Sequence, residues 1–194
     1  MNARANRGAA KGWHSRGYLP HFDSPQIVQH IVLRTADSLP AATIAAMPQD
    51  ARLRRKSLDE ALDLCHGAAL LRQVRVASIV EAAMLHFDGG RYRLIAWSVM
   101  PNHVHVLVEA FEGFPLDEII HSWKSFTAHE INKLNARSGA FWAVDYFDRF
   151  MRDEEHFHAT VGYIEQNPVK AGLVSFAQDW RFSSARRRAA SEES

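Results

Sequence analysis

The most distinctive pattern in the chain is a strict alternation of apolar and polar residues over 103–109. A two-residue period of this kind is typical of a β-strand with one buried face. Three valines would occupy that buried face, while His103 and His105 would point together from the other. The preceding run, 91–100, is also strand-like, and Pro101-Asn102 is a good pair for the central positions of a tight turn. The pattern predicts a β-hairpin with two imidazoles at the start of its second strand.

Hydrophobic patterns elsewhere predict the remaining elements. A first strand is expected over 26–35, a loop or irregular connector over 36–50, and a short, partly extended segment over 141–151. Helical periodicity, with apolar residues three and four positions apart, predicts four helices: 51–67, 75–87, 116–134 and a last one from Asp153-Glu154-Glu155 to about Asn167, stopped by Pro168. This order of elements predicts an α+β fold, a ferredoxin-like antiparallel sheet with helices packed on one face.

The composition indicates one ordinary globular domain. Of the 194 residues, 47% are hydrophobic and 23% are charged, which is enough for a sizeable core. We expect a basic flexible arm at 1–25, a single domain at 26–185 and a C-terminal tail at 186–194. The single cysteine, together with the lack of a secretory signal or a long apolar run, predicts a cytoplasmic protein with no membrane partner.

The net charge of +1 conceals three basic clusters. One lies in the N-terminal arm, one near 52–56 and one near 181–188, and each is close in sequence to few acidic residues. Basic loops and tails on a nearly neutral body suit a polyanion such as nucleic acid. A solvated surface explains any one cluster better, and it is the occurrence of three clusters in one small chain that favours nucleic acid.

The last predicted helix carries a second group of candidate functional residues. His156, Thr160, Tyr163 and Asn167 follow helical spacing, so that Tyr163 and Asn167 project together. If this helix packs beside the histidine strand, a phenol and an amide oxygen would approach the two imidazoles. A metal ion on the imidazoles could then polarise a phosphodiester for attack by Tyr163 through a covalent phosphotyrosyl intermediate. The sequence does not identify the group that accepts the phenolic proton.

Several other residues compete for roles in this site. Tyr146 is the rival nucleophile, although packing under the sheet edge explains it better, and Glu109 or His156 could assist at the metal or phosphate. Lys124 and Arg152 are candidate phosphate contacts. Three tryptophans could stack on bases, but their spacing is more typical of core positions: Trp123, Trp142 and Trp180.

Five blocks of sequence resemble REP-associated tyrosine transposases, within the single-tyrosine HUH endonuclease superfamily. The blocks, in order, are AWSVMPNHVHVLVE (96–109), SWKSFT (122–127), FWAVDYFDRFMRDEEHF (141–157), YIEQNPVKAGLV (163–174) and DWRFSSA (179–185). The resemblance implies cleavage and rejoining of single-stranded DNA at hairpin-forming repeats, a divalent cation (Mg²⁺ or Mn²⁺) and a 5′-phosphotyrosine link. It assigns the nucleophile to Tyr163 and the metal ligands to His103, His105 and Asn167. The connector at 36–75 lies outside these blocks.

Two other functions can be compared with this one. We expect the protein to be a monomer or a homodimer. A domesticated relative would bind structured single-stranded DNA without transposing, but it would have no need of an intact catalytic set. The spacing His-x-His-x-x-x-Glu over 103–109 also suggests a cupin-like metalloprotein. That class is all-β, and the helices predicted here exclude it.

Overall fold

A computed structural model of the chain describes residues 12–15, 20–23 and 26–192. The strands are β1 (Gly12–Ser15), β2 (Pro20–Asp23), β3 (Val28–Arg34), β4 (Tyr92–Val99), β5 (His103–Ala110) and β6 (Phe147–Phe150). The helices are α1 (Ala41–Ala45), α2 (Ala51–Asp63), α3 (Val74–Leu85), α4 (Leu116–Leu134), α5 (Glu154–Lys170) and α6 (Ser184–Glu192). None of the helices in these described ranges is both long and apolar enough to cross a membrane.

Four strands form the central antiparallel sheet, in the order β4-β5-β3-β6. The predicted hairpin is present: the Met100 amide donates to the carbonyl of His103 (2.9 Å) across Pro101-Asn102. Strand β3, far earlier in the chain, pairs with the other edge of β5, so that Val32 lies opposite His105 and His30 lies opposite Leu107. This strand order places β3 residues beside the predicted histidine pair.

The valine face of the sheet carries the main hydrophobic core. Helices α3 and α4 pack on it, and its buried members include Ile31, Leu33, Val76, Val80, Val104, Val106, Val108, Ile119, Ile120 and Trp123. Burying such a continuous set of aliphatic and aromatic side chains is the main source of stability in a domain of this size. The predicted α+β fold with an antiparallel sheet is confirmed, and α3 and α4 pack together on this face of it.

The histidine face is also covered, by α2 and α5. Ile164 of α5 is fully buried against Ala96 and Leu107, and a register shift between Leu94 and Ala96 places Ala96 opposite Leu107. Leu58 and Leu62 of α2 pack in a separate cluster with Val32. Two helices therefore reach the face that bears the imidazoles.

Helix α5 is longer than the sequence predicts. It continues through Pro168 to Lys170 rather than ending near Asn167. A proline lacks only its own amide hydrogen, so the helix loses the bond to the carbonyl of Ile164 while the next turns continue, with Ala171 donating to Asn167 (2.9 Å). Pro168 is also buried, which compensates in part for the lost bond.

Three further elements differ from the expectations. The connector at 36–50 contains the short helix α1, and part of the expected flexible arm pairs as the β1–β2 hairpin; the remaining arm residues lie outside the described residues. Helix α6 forms over most of the expected tail. It has no apolar stripe to reveal it, and it is held instead by Glu165 of α5, which accepts from Ser184 (2.6 Å) and pairs with Arg188.

Candidate active site

His103 and His105 lie side by side on β5, completely buried on the sheet face that α2 and α5 cover. Their Nε2 atoms are 3.1 Å apart. Because β-strand side chains alternate, this pair faces away from the valine core, as the sequence predicts. Two imidazole nitrogens thus converge on one point inside the protein.

A chain of hydrogen bonds fixes both imidazoles. Asn102 Oδ1 lies 2.8 Å from His103 Nδ1, and since an amide oxygen only accepts, His103 carries its proton there and has an unprotonated Nε2. On the other side, His30 Nε2 lies 3.1 Å from His105 Nδ1, and Arg55 Nη2 donates to His30 Nδ1 (2.6 Å). His30 and Arg55 therefore orient His105 from β3 and α2.

The same series of hydrogen bonds determines which ring protons must move before the histidines can bind a metal ion. With Arg55 donating, His30 carries its proton on Nε2 and donates to His105, whose own proton then lies on Nε2, toward His103. To present Nε2 as a ligand, His105 must carry its proton on Nδ1 and donate to His30 instead. The hydrogen bond between the two rings reverses, and Arg55 must release His30 Nδ1.

Burial keeps these rings neutral. It lowers the pKa of His103 to about 3 and lowers the pKa of His105 well below its ordinary value, with the neighbouring His103, His30 and Arg55 adding to the effect on His105. The pKa of His30 is also lowered well below its ordinary value, first by burial and then by Arg55. Neutral imidazoles are the form in which histidine binds metal ions.

Helix α5 brings Tyr163 to the pair and carries Asn167 on the same helix face. The Tyr163 ring lies edge-on to the imidazoles, with centroid distances of 5.5 Å to His105 and 6.1 Å to His30. Asn167, one turn further along, is 1% exposed, and neither its Oδ1 nor its Nδ2 has a hydrogen-bond partner. A buried amide without partners costs about 1–3 kcal/mol, so this position calls for a ligand.

His103, His105 and Asn167 offer donor atoms that suit a divalent metal ion. Two nitrogen ligands at ~2.1 Å from one ion, subtending a right angle, lie roughly 3 Å apart, which matches the Nε2 separation. The unpartnered Asn167 oxygen supplies the hard donor that Mg²⁺ and Mn²⁺ favour. Within the described part of the chain, no three His, Cys, Asp or Glu side chains form an alternative metal site.

A charged cleft of about 270 Å³ opens beside Tyr163. Helix α2 lines it with Arg55, Lys56, Asp59 and Glu60, and α5 contributes Tyr163 and Lys170. Its three cationic side chains could bind the phosphates of a nucleic acid. The Tyr163 hydroxyl is buried here and makes no hydrogen bond of good geometry; burial raises its pKa well above the ordinary value, and the carboxylate of Asp59 raises it further.

The structure places the rival residues away from this point. Tyr146 is 4% exposed in the main core, which supports Tyr163 as the better nucleophile candidate. Glu109 forms an ion pair with Arg93 (2.7 Å), four positions along β5 from His105. Two of the tryptophans, Trp123 and Trp142, also lie in the main core.

The candidate phosphate contacts, Lys124 and Arg152, are not beside the cleft. Lys124 lies on α4, against the valine face, and its Nζ donates to the carbonyls of Ala143 and Val144 (2.7 and 2.8 Å). Arg152 is exposed just before α5, where Asp153 caps the helix by accepting from the His156 amide (2.7 Å). Their contact with DNA stays a prediction, and Arg55, Lys56 and Lys170 are better placed.

Sequence reasoning missed His30, Arg55 and Asp59. His30 had a signal, since it lies in an otherwise apolar strand where a buried histidine needs a polar partner. Arg55 and Asp59 are four residues apart and therefore share one face of α2. That face could be assigned to the site only once the position of α2 was known.

Comparison with known proteins agrees with this geometry. The family described as "Transposase IS200 like" matches residues 74–167, the segment that contains the histidine pair, Tyr163 and Asn167. This segment of the chain is similar to the IS200-like transposase family. This result confirms the resemblance predicted from the sequence blocks.

Individual relatives point the same way. A REP-associated tyrosine transposase of Escherichia coli K12 is 27% identical over 96 residues, covering 50% of this chain and 56% of the relative. A Haemophilus influenzae relative is 26% identical over 106 residues, covering 50% and 60%. The chain therefore matches less than two thirds of the length of either relative.

One solved structure shares the fold. It is a REP-associated tyrosine transposase bound to a REP hairpin, and it superimposes with a TM-score of 0.63 at 18% identity. The match covers 90% of this chain and 86% of the other. The IS200-like region of this chain thus lies within a transposase-like fold.

Proposed function

We propose that this protein is a metal-dependent single-stranded DNA endonuclease and transposase that cleaves and rejoins DNA at hairpin-forming repeats through a 5′-phosphotyrosine intermediate. The observation that carries the proposal is the approach of the Tyr163 ring to His105, with the buried, unpartnered amide of Asn167 one helical turn further along α5. A buried polar group without a partner calls for an explanation, and a bound metal ion or phosphate would supply it.

Each side chain has a distinct task in this reaction. His103, His105 and Asn167 would hold Mg²⁺ or Mn²⁺, which when bound polarises the scissile phosphate and stabilises its developing charge. Tyr163 Oη attacks phosphorus, so that a Tyr–O–P bond forms, the P–O3′ bond breaks and a free 3′-hydroxyl is released. The phosphotyrosine keeps the energy of the broken bond, which permits a later 3′-hydroxyl to attack and rejoin the strand.

The recognised DNA is part of the proposal. The solved relative is bound to a REP hairpin, and we extend hairpin recognition to this chain on the basis of the shared fold and the cationic cleft. A single strand is favoured because a flexible backbone is needed to enter the cleft and reach the buried hydroxyl of Tyr163. A cytoplasmic location is part of the proposal and is supported by the single cysteine of the sequence.

An end-labelled oligonucleotide tests the proposal. A REP hairpin with single-stranded flanks is incubated with the protein in Mg²⁺ or Mn²⁺ and analysed by denaturing gel. A 3′-end label should become attached to the protein, whereas a 5′-end label should be released, and chelation of the metal should abolish both results.

Two tyrosine variants complete this test. Tyr163→Phe should form no adduct, and Tyr146→Phe should form it normally. Hairpin binding without an adduct, in the wild type and with either metal, would instead support the domesticated DNA-binding protein.

A further inference from the structure

Helix α2 places a carboxylate next to the proposed nucleophile. Asp59 and Tyr163 line the same cleft, although they lie far apart in the sequence. The Asp59 side chain is 13% exposed. Helix α2 precedes the segment that matches the IS200-like family, so the family match assigns Asp59 no role.

We propose that Asp59 is the catalytic base that removes the phenolic proton of Tyr163. The inference rests on the proposed function and identifies the proton acceptor that the chemistry requires. The supporting observation is that the carboxylate of Asp59 and the hydroxyl of Tyr163 lie in the same cleft.

Only one of the two carboxylate oxygens of Asp59 pairs with Arg55. Its Oδ2 is 3.9 Å from Arg55 Nε, one helical turn earlier, whereas its Oδ1 is buried without a hydrogen-bond partner. The Tyr163 hydroxyl is likewise buried without a hydrogen bond of good geometry, yet it is close enough to Asp59 for the carboxylate to raise the pKa of the phenol. A poorly aligned contact between a base and its proton donor is common before substrate binds.

A base is necessary because of where the phenol lies. Burial raises the pKa of Tyr163, so the phenolate is scarcely populated near neutral pH and direct ionisation is too rare to support catalysis. Burial also raises the pKa of Asp59 above that of an ordinary aspartate, which makes the carboxylate a stronger base. The charged and titratable groups that face Asp59 are Arg55, Asp63, Tyr163 and Lys170.

The proton balance of the step is complete. As the Tyr163 oxygen bonds to phosphorus, its proton passes to Asp59, the P–O3′ bond breaks and the departing 3′-oxygen takes a proton from water. Asp59 keeps this proton while the phosphotyrosine persists. When the strand is rejoined, protonated Asp59 can return a proton to the leaving phenolate, as microscopic reversibility requires.

Three variants test the assignment, with adduct formation on the 3′-labelled REP hairpin as the assay. Asp59→Asn keeps the size of the side chain but removes the base, and we expect the rate to fall about 10²- to 10⁴-fold. Asp59→Glu should restore part of the rate. Glu118→Gln is the control, since Glu118 is an exposed carboxylate of α4, on the opposite face of the sheet from the cleft, and this variant should keep the wild-type rate.

The pH profile separates a base from a structural residue. The wild-type rate should rise with pH as Asp59 ionises and then become level, whereas the Asp59→Asn rate should rise about tenfold per pH unit without a plateau. In Asp59→Asn and Asp59→Glu, the hairpin affinity and the melting temperature should stay close to those of the wild type.

Each result decides the question. An Asp59→Asn protein with an unchanged rate, or with a rate lowered equally at every pH, would overturn the assignment while leaving the proposed function intact. If the wild type forms no adduct with either metal, both the proposed function and the base assignment fail.

Discussion

His103 and His105 depend on residues that are not metal ligands themselves. Asn102 fixes the proton of His103 on Nδ1, and His30 holds His105 from the neighbouring strand. Partners of this kind orient a ligand and set which nitrogen is unprotonated. The metal affinity of the site should therefore depend on His30 as well as on the two ligands.

Replacing His30 should weaken metal binding. We expect His30→Ala to lower Mn²⁺ affinity about 10- to 100-fold, because His105 loses the group that orients its ring. Isothermal titration calorimetry of the metal alone measures this directly. His158→Ala, which removes an exposed histidine of α5, serves as the control. Equal Mn²⁺ affinity in His30→Ala and the wild type would show that His105 needs no such support.

Replacing Asn167 should change stability and metal binding in opposite directions. Its buried amide has no partner, so Asn167→Leu should remove a penalty of about 1–3 kcal/mol from the metal-free protein. For a chain of this length each kcal/mol corresponds to roughly 2–4 °C in melting temperature. The metal-free variant should melt higher than the wild type, yet gain less when Mn²⁺ is added. A lower melting temperature without metal would mean that the amide is satisfied in the folded protein.

Among the secondary-structure elements, helix α5 both packs on the sheet and carries residues of the candidate site. Helix α5 rests on the sheet through Ile164, which is fully buried against Ala96 and Leu107. Tyr163 is the adjacent residue and Asn167 follows one turn later, so both depend on how Ile164 packs. The position of the nucleophile is thus determined by hydrophobic packing.

A cavity under α5 should therefore affect chemistry as well as stability. Ile164→Ala should lower the free energy of unfolding by about 2–5 kcal/mol, measured by urea denaturation. Ile119→Ala, a buried position of α4 on the opposite face of the sheet, should have a similar cost. Under conditions where both variants stay folded, only Ile164→Ala should slow adduct formation on the REP hairpin. Equal effects on the rate would contradict the proposed dependence on α5.

Across the whole molecule, the two faces of the central sheet have different roles: one carries the main hydrophobic core and the other carries the candidate site. One face buries valines beneath α3 and α4, and the other carries the imidazoles, the nucleophile and the cationic cleft beneath α2 and α5. The family match covers residues 74–167, whereas β3 and α2 precede that segment in the sequence. The candidate site is therefore assembled from two parts of the chain.

The sequence predicts the parts of this arrangement that depend on local spacing. The alternation over 103–109 locates β5 and its histidine pair, and four-residue spacing brings Tyr163 and Asn167 together. His30 could not be located in this way, because it lies 75 residues before His105 and meets it only through the strand order. Asp59 likewise depends on how α2 packs. Long-range packing is set by the whole fold, so local patterns do not contain it.

The most direct test of the proposed function is to locate the covalent bond to DNA. After reaction with a REP hairpin in Mg²⁺ or Mn²⁺, the adduct is digested with nuclease and trypsin and analysed by mass spectrometry. We expect a nucleotide remnant on the tryptic peptide 153–170, whose single tyrosine is Tyr163. A remnant on peptide 138–149, which contains Tyr146, or a cleaved strand with no covalent remnant on the protein, would contradict it.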